Sequence, residues 1–311
     1  MLKQSHAISE ELIEWRRDFH MHPELGFELH RTSKIVADEM EKMGYRVRRG
    51  VGKTGVVAEI GEGGKVIAIR ADMDALPILE MNETEYVSQN KGAMHACGHD
   101  SHTAMALGAA LLLTKEKLPG RVRFLFQPCE ETTDAEGLSG AQRMSAEGAM
   151  DGVDYVIAQH VDPSKPVGKI GITAGPASGG VDSWYAVIKG KGGHGAHPNK
   201  TIDPFYLLAH VIMALNGIVS RRLDPFEPAV VSIGSISGGF TENVGEIERT
   251  LGAEDFGEFM KHAPGAMFTL GTQKEGHEEY LLHHPKFDID ERALPIGTAM
   301  LAEAAKRFLQ S

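Results

Sequence analysis

The amino-acid sequence predicts an α/β fold, a sheet with helices on both faces, carrying a smaller insert in its second half. Three observations predict it. Apolar, β-branched runs alternate with helix-patterned stretches from residue 9 to residue 159, as expected of a sheet covered on both sides. Gly and Pro punctuate the boundaries between them. Beyond Gly175 the texture changes, and PASGG at 176–180 has the composition of a linker.

Taken in order, residues 9–20 and 31–43 are amphipathic helices. The second carries Ile35, Val36, Met40 and Met43 at helical spacing and stops at Gly44, a natural helix terminator. A short strand follows at Tyr45–Arg49. GVVAEI (55–60) and KVIAIR (65–70) flank GEGG at 61–64 and are expected to pair as a β-hairpin. HTAMALGAALLLTKE (102–116) is apolar nearly all round, the pattern of a buried helix. RVRFLF (121–126) is the next strand, followed by a helix near 139–149 and the strand VDYVIAQ (153–159). After the linker come a strand at 183–189, the loop GKGGHGAHPNK, a helix at 203–220 and a strand at 229–236. A helix around 254–261, a strand around 266–270 and a helix at 295–309 complete the pattern. A main domain, 1–178 and 245–311, is thus interrupted by an insert, 179–244.

Acidic residues outnumber basic ones by 43 to 32, a net charge of −11. That balance argues against a nucleic-acid partner or an anionic membrane surface, either of which needs a basic face. Two cysteines in 311 residues cannot form a disulfide framework. The first residues carry charges where a secretory signal is apolar, and the apolar stretch Ala104–Leu113 is too short to cross a bilayer. A cytoplasmic location is expected.

Ligands of an α/β sheet gather beyond the carboxyl ends of its strands. KVIAIR runs into Asp72 and Asp74, RVRFLF into Glu130 and Glu131, and VIAQ into His160. The densest cluster is His95, Cys97, His99, Asp100 and His102. Thiolate and imidazole are zinc-type ligands, and Cys-x-His brings both within reach of one ion. The same residues also admit a nucleophilic Cys97 activated by His99 or His102. Adjacent Glu130 and Glu131 repel, so burying both calls for a cation, which leaves one carboxylate free to take a proton from water. Without a cation they read as an exposed loop pair, and His160 taken singly reads as a core histidine.

The runs HPELGFE (22–28), RADMDALP (70–77), HACGHDSH (95–102), FQPCEE (126–131), GGHGAHP (192–198), DPF (203–205), GAEDF (252–256) and LHHPKFDID (282–290) resemble the amidohydrolase branch of the M20 metallopeptidases, in the family order and across most of the chain. That branch includes aminoacylase, indole-3-acetyl-amino-acid hydrolase and aminobenzoyl-glutamate hydrolase-like enzymes. The resemblance implies a phosphorylase/hydrolase-like catalytic domain with a mixed central sheet and a ferredoxin-like lid insert. It also implies a metal-dependent hydrolase cleaving the amide bond of N-acyl amino acids or small peptides that bear a free carboxylate. Position by position, it implies two divalent metal ions held by Cys97 as a shared ligand, His99, Glu131, His160 and His283. Zinc is the expected metal from the thiolate, with manganese, cobalt or nickel as alternatives. Glu130 matches the general base, Asp74 a carboxylate that orients the site, and His194 a donor to the tetrahedral oxyanion. Asn243 is a candidate substrate-binding residue, and His22 reads as structural. His30, His197, His210, His262 and His277 read as ordinary surface or core histidines.

Two departures stand out. Cys129 occupies a position where the family pattern has Ala. After Asn243 and Val244 the family continues through a further strand, helix and strand, whereas this sequence passes at once to GEIERTLGAEDF. The insert is therefore expected to be shortened. A metal-binding protein with impaired catalysis is the alternative to an active hydrolase. In the family the insert carries dimer contacts, so a homo-oligomer is the expected assembly.

Overall fold

Side chains alternate across a strand, so a sheet buried on both faces needs apolar residues at successive positions, and the central strands have them. In the computed structural model, which describes residues 1–172, 186–224, 226, 229–233, 236, 238, 254–276 and 280–310, the chain divides into two compact units. One is Met1–Gly179 with Ala253–Ser311, the other Gly180–Gly252.

The first unit opens with α1 (Leu2–His6), α2 (Ser9–Met21) and α3 (His30–Lys42), then β1 (Arg46–Val51), β2 (Gly55–Gly61) and β3 (Val66–Asp72). It continues with α4 (His99–Leu113), β4 (Arg121–Gln127), α5 (Gly140–Ala146), β5 (Tyr155–Pro166) and β6 (Ile170–Gly171). The second unit holds α6 (Pro204–Arg222). The first resumes with α7 (Phe256–Met260), β7 (Gly265–Gln273) and α8 (Leu294–Gln310). The seven strands form one mixed sheet in the order β1-β2-β4-β3-β5-β7-β6. Its centre, β4-β3-β5-β7, is parallel, and both margins are antiparallel.

Alternation places Ile67, Ile69 and Ala71 of β3 with Val122, Phe124 and Phe126 of β4 on one face, packed with α3, α4 and α8. Val66, Ala68 and Leu125 face the other way, toward Met144 of α5 and Phe256 and Phe259 of α7. All of α4 is buried except Leu111, as its apolar circumference predicts. Ser139 and Gln142 start α5 with reciprocal side-chain-to-backbone bonds, a capping box.

One expected pairing is corrected. The runs at 55–60 and 65–70 are not a hairpin, because β4 lies between them, antiparallel to β2 and parallel to β3. The connecting glycines explain how. A Cβ on Gly61 would sit 2.2 Å from the Gly120 carbonyl oxygen, and one on Gly64 2.3 Å from that of Pro119. The Gly-rich segment thus passes directly against the start of β4 instead of folding back on itself.

The sheet opens where the site lies. β3 pairs with β5 only as far as Arg70 opposite Ala158, whereas β5 runs on beside β7 through His160 and beyond. The end of β3 and the next residues of β5 are therefore free of each other.

In the second unit, Asp203 caps α6 by accepting the backbone N–H groups of Phe205 and Tyr206. Among the described residues of this unit, one bridge joins Lys191 to Ile202. The strands expected at 183–189 and 229–236 are not formed by the described residues 186–189, 229–233 and 236, and the remaining positions lie outside the described residues. A strand needs a neighbour to satisfy its backbone groups, and the described residues of this unit offer no sheet to join. α6 is also long and apolar enough to meet the length and composition of a membrane span, although none of its residues is buried.

Candidate metal centre

Three segments deliver the site: the loop before α4, the turn after β4, and β5, joined by the loop at 280–290. Gly98 adopts φ +86° between Cys97 and His99, and a Cβ there would meet Val161 Cγ2 at 2.4 Å. Only glycine fits both restrictions, and it turns the chain so that His99 begins α4.

Cys97 Sγ lies 3.4 Å from His160 Nε2 and 3.3 Å from His283 Nε2. His283 Nε2 is 3.5 Å from Glu131 Oε1, and His99 Nε2 is 3.8 Å from the same carboxylate. Two triads result, Cys97–His99–His160 and Cys97–Glu131–His283, the ligand atoms of each within 4.8 Å of one another. They share the sulfur. All five residues expected as ligands are thus brought together.

Tautomers are fixed from behind. His99 donates its Nδ1–H to the Asp74 carbonyl (2.8 Å) and His160 its Nδ1–H to the Val161 carbonyl (2.8 Å), so each presents Nε2 to the cluster. Asp74 accepts the backbone N–H groups of both Glu130 (3.0 Å) and Glu131 (3.1 Å), which sets the direction of the glutamate pair. Two residues here have positive φ without being glycine: Cys129 (+50°), just before that pair, and His283 (+66°). Such backbone persists only where its surroundings hold it. The His283 N–H is anchored on the Ala96 carbonyl at 2.7 Å. Cys129 itself is buried, its thiol against the Thr132 carbonyl, the role of a small core residue.

The residues present fit a cation. His99 Nε2, Glu130 Oε1 and Glu131 Oε1 are buried with no hydrogen-bond partner. Burial, opposed by His99, lifts Glu131 to about 7. Burial, with Glu254 nearby, pushes Glu130 well above the usual carboxylate range. Burial also raises the Cys97 thiol, and it works against a charged His99, although Asp72 and Cys97 outweigh it and hold that imidazole well above its ordinary value. A cluster of donors short of positive charge is what a divalent ion satisfies.

Several neighbours have contacts that the sequence did not announce. His102 donates Nδ1–H to Asp72 (2.6 Å) and accepts the Val161 N–H on Nε2 (3.0 Å), fixing the backbone beside His160. Arg70 binds Asp72 (2.6 Å), Glu254 (2.9 Å) and Asp255 (3.0 Å). Glu254 and Asp255 bring carboxylate oxygens within 4.8 Å of Glu130. The GAEDF run was the available signal for that pair. His194 lies in the second unit, exposed, with Nδ1 accepting the Ala196 N–H. Asn243 lies outside the described residues.

The profile of peptidase family M20/M25/M40 matches residues 68–307, a span that takes in both triads. The chain belongs to this family. Among its M20 relatives, thermostable carboxypeptidase 2 of Saccharolobus solfataricus is 36% identical, covering 97% of this chain and 96% of its own. N-acyl-L-amino acid amidohydrolase of Geobacillus stearothermophilus is 43% identical over 82% of this chain and 69% of its own length. A dinuclear metal binding M20 peptidase of Bacillus subtilis, whose structure is solved, superposes with a TM-score of 0.72 at 30% identity, over 98% of this chain and 99% of its own. The carboxypeptidase alignment runs over 380 positions although this chain has 311 residues, so several dozen positions of that M20 enzyme have no counterpart here.

Proposed function

We propose that this M20 hydrolase cleaves the amide bond of N-acyl amino acids or small peptides that carry a free carboxylate, releasing an acid and an amino acid. The observation that carries the reading is the pair of triads sharing Cys97, with Glu130 beside them, its Oε1 buried and unpartnered and its Oε2 4.0 Å from His99 Nε2. The names of the amidohydrolase and carboxypeptidase relatives support the substrate class. Divalent cations held by Cys97, His99 and His160 on one side and Cys97, Glu131 and His283 on the other would polarise the amide carbonyl and acidify the attacking water.

Glu130 takes the proton from that water and delivers it to the leaving amine. Asp74 keeps Glu130 and Glu131 aimed, through their backbone N–H groups. His194 is proposed as the donor to the tetrahedral oxyanion, a contact whose loss costs about 3–4 kcal/mol in comparable sites, and Asn243 as a contact to substrate. The thiolate favours zinc, with manganese, cobalt or nickel as alternatives. We place residues 179–244 as a shortened lid and dimerisation insert, and the enzyme in the cytoplasm as a homo-oligomer. A second reading, metal binding with impaired catalysis, draws on the missing alignment positions.

The test is Glu130→Gln assayed on N-acyl amino acids and small peptides, with elemental analysis of the same samples. Metal content is expected to match the wild type while kcat falls by at least about 100-fold. Turnover near the wild-type rate in that variant would overturn the role of Glu130. A wild-type protein that binds metal but turns over none of the panel would favour the second reading.

A further inference from the structure

A fully buried charge lies outside the ligand set. Arg16 of α2 is 0% exposed, and its guanidinium divides among three carboxylates. Nε donates to Asp100 Oδ2 at 2.9 Å, one terminal nitrogen to Asp288 Oδ1 at 2.8 Å, and the other to Glu291 Oε1 at 3.3 Å. These acids come from two stretches that meet nowhere else in the sequence. Asp100 immediately follows His99 at the start of α4, and Asp288 and Glu291 follow His283 by five and eight residues.

Each stretch also has its own local partners. Asp100 is bonded by His20 (2.7 Å) and by the Ser101 N–H (2.8 Å). Asp288 accepts from Tyr86 (2.9 Å) and pairs with Lys274, and Glu291 pairs with Arg17 (2.7 Å). Among the described residues, Arg16 is the one cation bonded to both stretches. Without it each carboxylate keeps a partner, so the segments can still fold. What is lost is the charge that draws the two together.

We propose that Arg16 is a positioning residue for the metal centre: by clamping Asp100 to Asp288 and Glu291, it sets His283 against Cys97 and so closes the second triad. This inference rests on the two-metal reading above. The distance it governs is short, since His283 Nε2 lies 3.3 Å from Cys97 Sγ. Across the same gap the His283 N–H also bonds the Ala96 carbonyl, and Phe287 shares a buried apolar cluster with Ala96 and Cys97, contacts that Arg16 supplements with charge. Partners that orient metal ligands from behind are typically worth about 10–100-fold in metal affinity.

The experiment titrates metal-free protein with Co²⁺, read by calorimetry and by the thiolate–cobalt absorption, for the wild type, His283→Ala, Arg16→Met, Arg16→Lys and Asp288→Asn. Near-ultraviolet circular dichroism and thermal unfolding of the metal-free forms report the fold. Two bound ions are expected in the wild type and one tight ion in His283→Ala. Arg16→Met is expected to keep one tight ion and bind the other about 10–100-fold more weakly, with Arg16→Lys recovering part of the loss. Asp288→Asn, which leaves Arg16 in place, should show the same selective weakening and decides the matter if Arg16→Met does not fold. The proposal is overturned if a folded Arg16→Met binds both ions as the wild type does, or if both ions weaken equally alongside metal-free stability. A wild type that binds fewer than two ions defeats the two-metal reading itself, whatever the variants do.

Discussion

One sulfur belongs to two sets of donors, and that makes Cys97 different in kind from its neighbours. His160 serves one triad and His283 the other. Cys97→Ser is therefore expected to bring metal content below one ion per chain, whereas His160→Ala leaves about one, by elemental analysis of dialysed protein. Equal losses in the two variants would contradict the sharing. Of the five candidate ligands, the sequence pointed to Glu131 and His160 by their strand-end positions and to Cys97 and His99 by their Cys-x-His spacing, while His283 came from the family resemblance alone. Arg16 was not legible. Its partners Asp100 and Asp288 stand 84 and 272 residues away, and an arginine in an amphipathic helix looks like any solvated charge. His102 stood in the densest cluster of the sequence, but its contacts there, donating to Asp72 and accepting the Val161 N–H, are ones that spacing does not announce.

Elements were read well wherever periodicity belonged to a single segment. α4, with its apolar circumference, and the runs of β3 and β4 fall close to where the pattern put them, while β5 runs seven residues past its expected end at 159. Pairing was harder, since register between strands is a property of two segments at once. The Gly-rich link after β2 has the composition of a hairpin turn, yet it carries the chain past β4. β4 is consequently the strand on which both neighbours depend, and Phe124 is its fully buried centre, with Tyr45 edge-on to the ring at 5.6 Å between centroids. Phe124→Ala is expected to destabilise the protein by about 3–5 kcal/mol in urea unfolding, the usual range for an emptied aromatic site. A change below about 1 kcal/mol would mean that the site collapses around the gap.

For the molecule as a whole, buried ion pairs tie stability to pH. Burial disfavours the charged form of Asp288, but Arg16 and Lys274 outweigh it and hold the pKa down to about 2. A depressed carboxylate stabilises the fold above its unfolded value near 3.8 and loses that contribution as pH falls toward about 2. The difference corresponds to about 2 kcal/mol. Unfolding free energy should therefore be lower at pH 2.5 than at pH 4.5 for the wild type, and Asp288→Asn should show a drop smaller by about 1.5 kcal/mol, the part of that difference lost over this window. An identical pH response in the two proteins would remove Asp288 from the account. Sequence composition shows only a net charge of −11 and is silent on this, because it does not tell which acids are buried against cations. The positions of the carboxypeptidase that have no counterpart in this chain were foreshadowed only by a break in a familiar pattern.

The long reach of Arg16 also bears on how the protein is made. A nascent chain that has emerged only as far as residue 280 already holds Cys97, His99, Glu131 and His160, the whole of one triad and most of the other. It lacks His283, and it lacks Asp288 and Glu291, two of the three acids that hold Arg16. Long-range contacts of this kind are the last to form. Until they do, Arg16 has only Asp100 of its three acids, and the second triad lacks His283. A nascent chain short of residue 283 therefore carries one complete triad of donors and not the second.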